Sequence, residues 1–159
     1  MPGIDPDIDP DIDPDARLVA TRTRVHPDCV VCNRREAGGL DLEFVLAPDG
    51  GVRARFACAP AYTGYPGYVH GGIVTSLLDG AMTNALFAAG HAALTAELTV
   101  RFLEPLRVGE PAEVSGRIVR SRSRLYETEA EVVQGGRTKA TARARFLPHP
   151  DLARQEDPA

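Results

Sequence analysis

Gly71 to Ala89 constrains this chain more than any other stretch. It runs without proline, and after the opening pair of glycines only Gly80 interrupts it. Ile73, Leu77, Ala81, Ala85 and Ala88 recur at every third or fourth position, and so do Val74, Leu78 and Met82. Apolar side chains wrapped so far round one helix leave it little face to show to water, which predicts a buried helix. Such a helix has to be enclosed by the rest of the chain.

The flanking segments have the period of strands. Residues 40–47 and 52–57 alternate apolar with polar across Pro48-Asp49-Gly50-Gly51, a hairpin signal. Residues 58–70 are broken by Pro60, Gly64, Pro66 and Gly67. After Gly90, Leu94, Ala96, Leu98, Val100 and Phe102 alternate with polar residues, and a second strand follows Pro111 to about Arg120. A third covers Tyr126 to Val132, and Gly135-Gly136 turns the chain into a fourth ending near Phe146. The expected architecture is α+β: an antiparallel curved sheet wrapped around one long central helix. Its open edges and outer face predict pairing with a second copy.

Composition bounds the rest. With 43% hydrophobic and 25% charged residues in 159, the chain is an ordinary single globular domain. Residues 4–15 repeat Ile-Asp-Pro-Asp three times; proline and like charge at that density forbid regular structure. The domain reading is an acidic disordered tail over 1–16, a folded unit over 17–148 and a flexible C-terminal tail over 149–159. Six aspartates of the repeat outweigh the net charge of −4, so the remainder carries a small positive excess. No basic stripe interleaved with aromatics accompanies it, which argues against a nucleic-acid partner. No apolar run is long enough for a membrane span. Cys29, Cys32 and Cys58 are an odd number without a secretion signal, so reduced thiols and a cytoplasmic location are expected.

Asp79 is the anomaly, a carboxylate inside a segment that has no Lys, Arg or Glu between His70 and His91. An unpaired buried carboxylate is costly. Either it hydrogen-bonds Ser76 or Thr83 on its own helix, or it does chemistry. His70-Gly71-Gly72 at the helix start adds to the second reading. First-turn N–H groups lack intrahelical partners and can hold a developing oxyanion. His26 with Cys29-Val30-Val31-Cys32 could supply zinc or redox ligands, but a lone Cys-x-x-Cys is weak, and a structural cap is the favoured reading. No metal and no cofactor are expected.

His-Gly-Gly followed by seven residues and Asp, with the strand from Leu94 to Pro105, resembles the hotdog-fold acyl-CoA thioesterases of the PaaI type. The resemblance runs from about Cys32 to Phe146. It implies the hotdog fold and the hydrolysis of an acyl-CoA to a free acid and CoA. It implies Asp79 as general base or nucleophile and Gly71 as the N–H that polarises the thioester carbonyl. Thr95 is implied as the hydroxyl that positions water, and His70 as a shaping residue. Gly72, Val69 and Met82 are the candidate substrate contacts. A homodimer or homotetramer is implied, with each site at a dimer interface where Asp79 of one chain faces Gly71 of the other. Many relatives have Asn where this chain has Gly64, which leaves a non-catalytic acyl-CoA-binding hotdog module as the alternative.

Overall fold

The computed structural model describes residues 11–153. Helix α1 (Pro14–Val25) leads into β1 (Val45–Leu46) and β2 (Val52–Phe56), then the long α2 (Gly71–Ala88). Strands β3 (Leu94–Phe102), β4 (Ala112–Arg122), β5 (Leu125–Gln134) and β6 (Arg137–Leu147) follow, and one helical turn, α3 (Pro150–Ala153), ends the described chain. The strands form a single antiparallel sheet in the order β1-β2-β4-β5-β6-β3. Gly135 and Gly136 both have positive φ, 60° and 75°, as a two-residue hairpin turn between β5 and β6 requires.

Alternation decides what the sheet buries. Val114 and Gly116 of β4, Ala130 and Val132 of β5, and Ala140, Ala142 and Ala144 of β6 face inward, while Arg117, Glu129 and Arg143 face out. Small inward residues let α2 lie close to the sheet. At Gly116 a Cβ would sit 2.7 Å from the carbonyl of Ala81, so glycine here sets the helix–sheet distance. Leu77, Leu78, Ala81, Met82 and Leu86 of α2 have essentially no exposure. From Leu77 onward the helix is largely enclosed, as its apolar pattern requires, while its first turns remain open.

Three expectations are corrected. The first strand, expected over 40–47, pairs with β2 only at Val45 and Leu46. Leu40, Asp41 and Leu42 instead donate their N–H groups to the carbonyls of Val30, Asn33 and Val31, and Asp41 has a φ of 61° that ends extended structure. The acidic segment yields at its C-terminal end to α1, which begins at Pro14 inside the expected tail. Proline suits the first helical position, and Leu18, Thr21 and Val25 bury one face. Asp15 accepts the Leu46 N–H at 3.3 Å, tying the helix start to β1. The turn α3 falls within the expected C-terminal tail. Residues 1–10 and 154–159, where the rest of both expected tails lies, are outside the described residues.

Candidate active site

Helix α2 brings two features together. At its N-terminus the exposed His70 is the capping residue, and its Nδ1 accepts the Gly72 N–H at 2.8 Å. Ile73 and Val74 donate to the His70 carbonyl. Gly71 is therefore the first-turn N–H left without an acceptor among the described residues, and the helix dipole adds partial positive charge there. Gly72, a candidate substrate contact, has its N–H committed to His70.

Two turns further on, Asp79 is half-buried, and the Thr95 hydroxyl of β3 donates to its Oδ1 at 2.8 Å. The local partners considered from sequence do not take this place: Ser76 donates to the Gly72 carbonyl at 2.9 Å. Burial pushes the Asp79 carboxyl above the usual carboxylate range; the Thr95 hydrogen bond opposes the rise, the Cys29 sulfur adds to it, and His26 subtracts. A raised carboxyl with one oxygen pinned and the other open is arranged to accept a proton.

The structure thus joins Asp79 to Thr95 and leaves Gly71 and His70 at the other end of the exposed half of α2. Met82, a candidate substrate contact, is sealed in the core with no exposure, and Val69 is buried with its N–H on the Leu106 carbonyl. Both pack the scaffold under the site and reach no surface. Phe102 is the last apolar residue in the alternation along β3. It is 58% exposed, and its ring would lie 3.7 Å from a Cβ on Gly71. No signal in the sequence marks it as part of the site. At Gly64 a Cβ would come within 2.9 Å of the His70 Cα, so the loop is built tightly around glycine and leaves no room for Asn.

The first turn after α1 closes over the other face of α2. A Cβ on Gly80 would meet the Val31 side chain at 2.5 Å. Cys32 lies against Asn84, whose Nδ2 is 3.7 Å from its sulfur and 2.8 Å from the Gly80 carbonyl. The segment is a cap on α2, and it reaches the helix one residue from Asp79. No group of three or more His, Cys, Asp or Glu among the described residues could hold a metal ion.

An antiparallel six-stranded sheet curled round one long helix is the hotdog fold. Residues 66–141 match the family model of the thioesterase superfamily. Acyl-coenzyme A thioesterase 13 of Homo sapiens is 22% identical over 110 residues, 68% of this chain and 79% of that protein. A solved thioesterase superfamily protein is 28% identical with a TM-score of 0.67, over 70% of this chain; the chain spans only 58% of that protein's length. The E. coli PaaI protein from the phenylacetic acid degradation operon shares the fold at a TM-score of 0.72 and 18% identity, over 86% of this chain and 96% of its own. No helix among the described residues is long and apolar enough to cross a membrane.

Proposed function

We propose that this chain is an acyl-CoA thioesterase that hydrolyses the thioester to a free carboxylic acid and CoA. The observation that carries the reading is the Thr95–Asp79 hydrogen bond of 2.8 Å on the helix that leaves the Gly71 N–H open at its start. Thr95 occupies Oδ1, so Oδ2 is free to take a proton from water. The water oxygen attacks the thioester carbon, and the oxyanion that forms is met by the Gly71 N–H and the helix dipole. Collapse expels the CoA sulfur, and the proton held by Asp79 returns to the products.

Gly71 and Asp79 are eight positions apart on one helix, a rise of about 12 Å, too far to act on one carbonyl from the same chain. Two copies related by a two-fold axis would bring Asp79 of one to Gly71 of the other. The free edge of β3 supports this reading. Leu94, Phe102 and Leu103 are about half exposed there, an apolar edge of the kind a partner strand covers. The working unit is then a homodimer, or a homotetramer built from it, in the cytoplasm, with acyl-CoA as substrate and no cofactor.

Gly64 favours a second reading, an acyl-CoA-binding module that does not hydrolyse. A panel of aliphatic and aromatic acyl-CoA thioesters, followed by thiol release, separates the two and ranks the acyl groups. Binding of several thioesters with no release of CoA from any would sink the hydrolase reading.

A further inference from the structure

The thioesterase reading leaves one cluster of reactive groups unused: His26, Cys29, Cys32 and Asn84, between the end of α1 and the middle of α2. Cys29 and Cys32 lie in one turn closed by the Asn33 N–H on the Cys29 carbonyl at 2.9 Å. Residues three apart in such a turn stand on the same side of it, so the two thiols are neighbours. The Cys29 sulfur accepts the Val31 N–H at 3.3 Å, and His26 stands near enough to favour its thiolate. Donors converging on one sulfur favour the thiolate, the form that attacks disulfides. Cys32 differs. Its neighbour Asn84 is 1% exposed, and the Asn84 Oδ1 has no hydrogen-bond partner. Both cysteines are only partly buried and are unpaired thiols.

We propose that Cys29 and Cys32 form a thiol–disulfide exchange site whose co-substrate is a low-molecular-weight disulfide of the glutathione class. The Cys29 thiolate attacks the disulfide and releases one thiolate, leaving a mixed disulfide on Cys29. Cys32 gives its proton to the thiolate just released and attacks the Cys29 sulfur, closing the Cys29–Cys32 bond and expelling the second thiolate, which takes a proton from water. Two protein thiols are oxidised and one external disulfide is reduced to two thiols. The electrostatics agree with this division of roles. The hydrogen bond from Cys32 lowers the Cys29 thiol against the opposing effect of burial, while the bond to Cys29 and burial both raise Cys32.

Cys58 is an internal control. It is fully buried beside Gln134, and burial pushes its thiol up to about 11. The test uses the full chain, treated with oxidised glutathione, quenched with acid, alkylated and mapped by mass spectrometry. Cys29 and Cys32 should lose their alkylation together with no retained glutathione, and Cys58 should stay reduced. In Cys32→Ser the glutathione adduct should accumulate on Cys29. In Cys29→Ser, adduct formation on Cys32 should be at least tenfold slower. Wild-type protein in which both thiols stay reduced, or carry separate adducts without closing, would overturn the proposal. Stoichiometric zinc that protects both sulfurs until it is chelated would overturn it too, and would make the turn a metal knuckle. None of these readouts depends on thioester hydrolysis.

Discussion

Replacing Asp79 by Asn tests the site most directly, because it keeps shape and one acceptor while removing the base. Asn retains an oxygen at the Oδ1 position, so Thr95 can still donate across 2.8 Å. The bond changes from charge-assisted, at about 1.5–3 kcal/mol, to neutral, at about 0.5–1.5 kcal/mol. Against that loss stands relief of the burial that raises the carboxyl above its ordinary value of 3.8. An acid whose folded pKa is raised favours folding most when protonated. Its contribution is complete below 3.8 and is lost as pH rises through the folded value. Asp79→Asn should therefore melt no lower than wild type at neutral pH, and its relative advantage should shrink on acidification. Hydrolysis should fall by roughly 10²–10⁴-fold, equivalent to about 3–5 kcal/mol of transition-state stabilisation, as expected for losing a general base. Affinity for acyl-CoA should change little. The assay is CoA thiol release and thermal melting on one preparation at several pH values. A well-folded variant whose turnover stays close to wild type would refute the role given to Asp79.

Thr95→Val removes the hydrogen bond that holds the Asp79 carboxyl down; the acid limb of the pH–rate profile, set by loss of the base, should move to higher pH, and an unmoved limb would take Thr95 out of the site. Gly71→Ala has room, its Cβ standing 3.7 Å from Phe102, so melting should be nearly unchanged while hydrolysis drops; a large loss of stability would show that the glycine serves folding. Gly64→Asn, which introduces the residue common among relatives, should cost about 1–3 kcal/mol through overpacking against His70, and faster hydrolysis at unchanged stability would contradict this. Gly116→Ala should lower the melting temperature by a comparable free energy, because its Cβ meets the Ala81 backbone at 2.7 Å and the helix itself must move.

Much of the fold is legible in the sequence because period and punctuation are local. The proline-free apolar run of α2, the alternation of β4 to β6 and the Gly135-Gly136 turn each act through neighbours a few residues away. Helix α1 was not legible: the Ile-Asp-Pro-Asp repeat running into Pro14 conceals its start, and only packing shows that Leu18, Thr21 and Val25 share a buried face. The shortness of β1 was not legible. Residues 40–42 alternate well enough for a strand, and only the tertiary fold presents them with the carbonyls of residues 30–33 as competing partners.

For the site, the sequence by itself determined an out-of-place carboxylate, Asp79, and a helix start, His70-Gly71-Gly72, with spare N–H groups. Both are properties of α2 alone. Tertiary structure decided which groups those features meet. Thr95 reaches Asp79 from sixteen residues away because β3 runs past the helix, and Ser76, a turn away on α2, spends its hydroxyl on a backbone carbonyl. Met82, apolar and close to Asp79 in sequence, is buried because it lies on the face of α2 turned to the sheet, whereas Phe102, at the end of the edge strand β3, remains open beside Gly71. Periodicity fixes which residues share a face. Whether that face meets the core, a loop or solvent depends on contacts between segments distant along the chain, and these exist only once the sheet has closed around the helix.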